Sequence, residues 1–287
     1  MDAYRCFSKI NTYSRQCGQF ELICLSNPDT RLSTQDKQLL IQQFRIETDS
    51  IYQADTSFHW SKHANYFAQI DDIWTVYLQK ELVAFSAVSI KYGPEQIIYI
   101  DNMNVRPIPR RVFPGYSLGS MITHEILRKY LPRFGTRFSI AFRTQNPHVY
   151  KLAYSILPNG VYPRLATDCP PRDLVRCQNI VKTMASLLSP AKGFSEKTSV
   201  IQCAYSGCIY GNFQHFTAKL PAAVDLFWKE NVRPEAGDAV LIAVCPTYWE
   251  IVAAVGTYSF VRRTHQLVRA LKSIIINLAH KQSESQV

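Results

Sequence analysis

With 287 residues, 47% hydrophobic and 19% charged, the composition is that of an ordered globular protein and excludes an intrinsically disordered one. The 32 Lys and Arg against 22 Asp and Glu give a formal charge of +10, which admits an anionic ligand or partner. No stretch reaches the about 18 apolar residues of a membrane span.

Residues 1–30 read as a lead-in, loosely structured or a strand, with Phe20–Leu25 as its apolar patch. Met1–Cys6 shows no apolar run of signal-peptide length. Ser33 or Thr34 can cap a helix over Gln35–Ile51, whose Leu39, Leu40, Phe44 and Ile51 fall on one face. A second helical segment is expected near Ser57–Ile70. Strands follow at Ile73–Leu78 and Leu82–Tyr92, joined by the turn Gln79-Lys80-Glu81, and then at Gln96–Val105. The spacing of Met121, Ile122, Ile126, Leu127 and Tyr130 predicts a helix over Ser120–Tyr130, ended by Leu131-Pro132. A strand at Arg137–Phe142 leads to Asn146-Pro147, where Asn caps and Pro takes the first turn of a helix running to about Leu157.

Further on, Leu174–Leu188 reads as a helix and 189–198 as a loop. Ser199–Ala204 and Ala239–Cys245 read as strands, the second apolar throughout as a central buried strand is. The insertion between them is rich in Tyr205, Tyr210, Phe213, His215, Phe216, Phe227 and Trp228. It forms either a wall over a cleft or ordinary core. The tail, Tyr258–Leu278, reads as a helix with the apolar stripe Leu267, Leu271, Ile274, Ile275 and Leu278. Such a helix packs on its own domain or on a second subunit of a homodimer; a membrane surface is the lesser alternative. The expected organisation is a lead-in over 1–30, a core over 31–163, a continuation of the sheet over 164–250, and an amphipathic helix over 251–287.

Eight cysteines, at 6, 17, 24, 169, 177, 203, 208 and 245, form no Cys-x-x-Cys, and no His pair completes a zinc pattern. Free thiols in a reducing, cytoplasmic compartment are expected, and no metal.

Two strand-to-helix junctions stand out, Pro114–Ser120 and Asn146–Tyr150. Unpaired N–H groups and the helix dipole make such starts binding sites for anions. Nine basic residues lie between Arg106 and Lys151 against the single acid Glu125, a net +8. That concentration points to a defined anionic ligand or, alternatively, to a solvated basic face.

These residues carry a resemblance. Val105-Arg106-Pro107, the loop Gly115–Ile122 with Gly115 and Gly119, the strand Phe138–Phe142, and Asn146-Pro147-x-Val149-x-x-Leu152 occur in order. Over Ile97–Pro163 the chain thereby resembles the core of the GNAT superfamily, the GCN5-related N-acetyltransferases. The resemblance implies a mixed, mostly antiparallel α/β sheet flanked by helices, here with an extended C-terminal half. It implies an acyl-CoA-dependent N-acyltransferase with acetyl-CoA or another acyl-CoA as co-substrate and a small-molecule or protein amine as acceptor.

On this resemblance the backbone of Tyr116, Ser117, Leu118, Gly119 and Ser120, after Gly115, holds the pyrophosphate, assisted by Arg110 and Arg111. Met103, Asn104 and Val105 line the thioester arm, and Asn146 opens the helix beside it. Asp101 is the candidate base, and Tyr154 or Tyr150 the candidate donor to the leaving thiolate. Pro114 and Ser117 replace the family's Arg and Gly, and Ala153 stands where the family has a tyrosine. These departures leave open a non-catalytic acyl-CoA-binding module. A basic protein that binds nucleic acid or anionic lipid is a further alternative.

Overall fold

The computed structural model describes residues 4, 7, 12–61, 65–107, 112, 116–134, 137–165, 172–188, 193–205, 207–209 and 220–284, with side chains to 268. Ten strands form one sheet in the order β1-β2-β3-β4-β5-β6-β10-β9-β8, with β7 also on β10. They are β1 Tyr13–Cys17, β2 Phe20–Ser26, β3 Asp72–Leu78, β4 Glu81–Tyr92, β5 Gln96–Val105, β6 Phe138–Thr144, β7 Val161–Tyr162, β8 Phe194–Ser195, β9 Val200–Ile201 and β10 Ala239–Val244. Among these pairings only β5 with β6 is parallel. The longer helices are α1 Thr34–Tyr52, α2 Leu118–Phe134, α3 Pro147–Ile156, α4 Leu174–Leu188, α5 Ala222–Asn231 and α6 Tyr248–Glu284.

Alternation decides which side each strand residue buries. Leu22, Cys24, Trp74 and Val76 face the side covered by α2 and α6, whose Ile122, Ile126, Ile251 and Tyr258 join the same core. Ile23, Leu25, Ile73 and Tyr77 face the other side, against Leu40 and Phe44 of α1. Further along, Ile97, Tyr99, Ala141 and Leu241 meet Cys177, Ile180, Val181 and Met184 of α4. β10 lies inside the sheet, and all six of its residues are buried. Each Val, Leu or Ile sealed there contributes about 1.5–3 kcal/mol of transfer free energy.

Local signals explain most boundaries. Ser33 caps α1 by accepting from Asp36 N–H at 3.1 Å. Gln79 and Lys80 turn the β3–β4 hairpin with φ of 52° and 70°, the left-handed pair that matches strand twist. The residues 1–30 contribute the edge hairpin β1–β2.

Several elements depart from the expectation. The loop over 189–198 contains β8, and the helix near Ser57–Ile70 is a short helix at Ser57–Ser61 and a 3-10 turn at Tyr66–Gln69. Pro132 does not stop α2, which continues to Phe134; in the final turn its missing N–H removes a single helical bond. The strand over Ser199–Ala204 shrinks to Val200–Ile201, because Ser199 and Cys203 adopt φ of 57° and 49°, outside the extended region. The tail helix begins at Tyr248 rather than Tyr258. Thr247 and Glu250 form a capping box there: Glu250 N–H donates to Thr247 Oγ1 at 3.2 Å, and Thr247 N–H to Glu250 Oε2 at 2.8 Å.

Candidate active site

The sheet opens between β5 and β6. These strands pair only from Gln96 with Phe138 to Tyr99 with Ala141. Beyond that rung β5 stays with β4 as far as Val105 opposite Ala84, while β6 stays with β10 as far as Thr144 opposite Val240. A register shift sets Val88 opposite Ile100 and Ala87 opposite Asn102, so Asp101 is the extra residue of a β-bulge. A cavity of about 110 Å³ occupies the split. Ile100 to Asn104 form one wall, Ile140 and Phe142 to Thr144 the other, and Val149, Leu152, Ala153 and Ile156 of α3 close it. Arg106 N–H donates to Val83 O on β4, so alternation turns the backbone groups of Met103 and Val105 toward the open edge.

The start of α2 sits over this split. A Cβ at Gly119 would stand 3.3 Å from Leu152 Cδ2 and 3.8 Å from both Met103 Sδ and Val105 Cγ2. The glycine therefore lets α2, β5 and α3 approach closely. Ser117 caps the helix by accepting from Ser120 N–H at 3.2 Å, so that N–H is already engaged. Leu118 is buried, and Tyr116 lies edge-on to His124 and Tyr258 at 5.4 Å each. Outward from there a second cavity of about 500 Å³ lies between Ser120 and His124 of α2, the end of α3, and Glu250 and Ala253 of α6. Burial holds the His124 pKa below the ordinary imidazole value. Arg110, Arg111 and Gly115 lie outside the described residues.

The Asn146 side chain accepts from His148 N–H at 2.9 Å and caps α3. Neither candidate tyrosine of that helix lines the cavity. Tyr150 is 1% exposed, and its hydroxyl accepts from Leu165 N–H at 2.8 Å. Its ring packs against Tyr154 and against Trp228 of α5. Tyr154, one turn on, shares that outward face, and Ala153 takes the inward position. One residue is a rotation of about 100° on a helix, so Ala153 and Tyr154 point in different directions. The candidate base Asp101 does line the cavity, beside Asn102 and Asn104. Asn104 Nδ2 donates to Asn102 Oδ1, and Asn104 Oδ1 is buried without a hydrogen-bond partner.

Several cavity residues went unread as site residues in the sequence, among them His59 and Arg143. Arg143 projects from β6, with its guanidinium carbon 4.9 Å from the centroid of the Tyr205 ring. Burial opposes its charge, yet Tyr99, Tyr205 and Asp101 around it raise its pKa above the ordinary guanidinium value. Burial also raises the Tyr99 and Tyr205 hydroxyls. Tyr205 comes from the aromatic insertion, which Gln145 staples down. The buried Gln145 amide donates to Pro234 O and Asp238 O at 3.1 Å each and accepts from Ile209 N–H at 3.1 Å. Trp228 Nε1 donates to Gln145 O at 2.9 Å. Tyr205 and Ile209 thereby wall the cavity, which resolves part of the choice between cleft wall and core.

Three of the nine basic residues between Arg106 and Lys151 form ion pairs among the described residues. Arg106 binds Glu47 and Glu81 at 2.7 Å each, Arg128 binds Glu125 at 2.8 Å, and Lys129 binds Asp72. Among the described residues no group of three or more His, Cys, Asp or Glu could hold a metal ion. No described helix is long and apolar enough to cross a membrane.

No protein-family model matches the chain, and no curated protein sequence matches it. Solved structures do match. The ribosomal-protein-S18-alanine N-acetyltransferase from Escherichia coli aligns at 11% identity over 79% of this chain and 94% of its own, with a TM-score of 0.37. Naa50 of Arabidopsis thaliana, in complex with the bisubstrate analogue CoA-Ac-MVNAL, aligns at 12% over 78% and 97%, with a TM-score of 0.34. A GNAT family acetyltransferase from Elizabethkingia anophelis with acetyl-CoA bound aligns at 14% over 69% and 88%, with a TM-score of 0.32. The chain's own architecture is a mixed, mostly antiparallel α/β sheet flanked by helices and open between β5 and β6, the class implied by the resemblance at Ile97–Pro163.

Proposed function

We propose that the protein transfers an acyl group, acetyl in the simplest case, from acyl-CoA to an amine by direct attack on the thioester. The observation that carries this reading is the split between β5 and β6, apolar on its α3 wall and overlain at one end by Gly119 at the start of α2. A thioester arm lying in the split meets the outward backbone groups of Met103 and Val105, where oxyanion charge develops. The N–H groups of Leu118 and Gly119 are the ones at the helix start that suit a pyrophosphate. Asp101 accepts the proton lost by the attacking ammonium, directly or through water. The nitrogen–carbon bond forms, the carbon–sulfur bond breaks, and the sulfur leaves as thiolate.

A second reading, an acyl-CoA-binding module without turnover, is favoured by Ala153, which puts no hydroxyl where the thiolate departs.

Calorimetric titration of acetyl-CoA tests the reading. Saturable binding that Gly119→Trp abolishes is expected, because the indole fills the space between Leu152, Met103 and Val105. Absence of binding at millimolar ligand overturns both readings. Amine-dependent release of free thiol separates enzyme from binding module.

A further inference from the structure

We infer that the acceptor is a small amine bearing a carboxylate close to its amino group, as an α-amino acid does, and that Arg143 holds that carboxylate. This deepens the proposed acyl transfer and rests on it.

The register supplies the first argument. Tyr99 opposite Ala141 is the last parallel rung, and Asp101 and Arg143 each stand two residues beyond it. An acid on one wall of the split thus faces a base on the other, and both line the same cavity. An ammonium lies against Asp101 while a carboxylate on the adjoining carbon meets the guanidinium. The cavity volume of about 110 Å³ suits a small acceptor rather than a folded protein surface.

Arg143's surroundings supply the second. Withdrawing a guanidinium from water is costly unless an anion meets it. Elsewhere the fold meets that need: Arg15 and Arg128 bind Glu125, Arg106 binds Glu47, and Arg176 binds Glu95. Among the described residues no carboxylate forms an ion pair with Arg143, whose side chain lies on the Tyr205 ring. Its planar fork of donors matches a carboxylate in bidentate geometry.

The third argument is the wall itself. Gln145, just past β6, holds Ile209, Pro234 and Asp238, and the Tyr205 hydroxyl donates to Arg143 O at 3.3 Å. Tyr205 gives the guanidinium both its ring face and its hydroxyl, and with five N–H groups the fork keeps donors for a ligand.

The reaction balances without a co-reactant. The amino acid's ammonium gives one proton to Asp101 and thence to solvent. Its nitrogen bonds the acyl carbon and gives up a second proton to solvent as the carbon–sulfur bond breaks, and the CoA thiolate takes up a solvent proton.

The test compares each proteinogenic L-amino acid with its carboxamide as acceptor for acetyl-CoA, read by thiol release, in the wild type, Arg143→Gln and Arg143→Lys. At least one amino acid is acetylated, with a KM at least about tenfold below that of its amide. Arg143→Gln erases this acid-over-amide preference and leaves the acetyl-CoA Kd unchanged; Arg143→Lys restores part of it. A merely structural role would weaken acid and amide alike. Equal use of acid and amide by the wild type, which requires no variant to fold, overturns the inference. So does a preference that survives Arg143→Gln, or a protein that binds acetyl-CoA but acetylates no amino acid. Failure to bind acetyl-CoA at all instead overturns the acyl transfer and takes this inference with it.

Discussion

Two regions of the molecule treat the same residue type in opposite ways. Behind the sheet Glu125, fully buried, receives Arg15 and Arg128 at 2.8 Å and the Tyr258 hydroxyl at 3.1 Å. That knot joins the edge strand β1, helix α2 and the C-terminal helix α6. At the mouth of the split Arg143 has an aromatic face and no ion-paired carboxylate among the described residues. The first arrangement is a fastening, in which each charge is met within the chain. The second forms no such ion pair among the described residues. Sequence charge counts cannot distinguish the two.

Four measurements break or sharpen this contrast. Glu125→Ala leaves Arg15 and Arg128 facing each other without their anion and should destabilise by about 3 kcal/mol, as removal of one partner from a buried pair does. Denaturant unfolding checks it, and a loss under about 1 kcal/mol would make the knot decorative. Gln145→Ala strands the carbonyls of Pro234 and Asp238 and the N–H of Ile209; about 2 kcal/mol is expected. Kinetics should show a raised acceptor KM with acetyl-CoA affinity intact, because the wall rather than the α2 start moves.

The third concerns pH. Burial holds the His124 pKa down, so the fold favours the neutral ring. Its contribution is fully present above the unfolded value of about 6.5 and declines as pH falls below it, by at most about 1.4 kcal/mol per pH unit. The stability difference between wild type and His124→Phe should therefore shrink from pH 7.5 to 5.5 in parallel melts. Smallest is Arg143→Gln, which removes a charge that forms no ion pair among the described residues. Stability should change by less than about 1 kcal/mol in either direction, while acceptor use collapses. A large destabilisation would move Arg143 to the fastening class.

The sheet and its helices were largely legible, since period-two and helical spacing are local properties. The strand Gln96–Val105 and the helix Leu174–Leu188 match their expected bounds, and β10 reads as buried because it is apolar throughout. The Thr247-x-x-Glu250 pair is a local signal too, and it marks the true start of α6. Partners distant in the chain are another matter. Glu47 and Asp72 lie 59 and 57 residues from the bases they neutralise, so the cluster from Arg106 to Lys151 looks unpaired on paper. Arg143 gains its meaning from the register of β5 against β6 and from an insertion whose Tyr205 lies 62 residues on. The facing of Tyr150 and Tyr154 depends on Trp228, which no helical spacing announces.

The position of β10 also dictates when the site can come into being. β6 is one wall of the cavity, and Phe142 on it pairs with Ile242, about a hundred residues later in the chain. At about 5–20 residues per second a ribosome takes roughly 5–20 s to supply that partner. Until then the apolar outer edge of β6 lies unpaired, the kind of edge that recruits foreign strands. Pulse-labelled nascent chains arrested before residue 239 should therefore be captured by holdase chaperones, and chains arrested beyond the strand, once it has cleared the ribosome, should escape them.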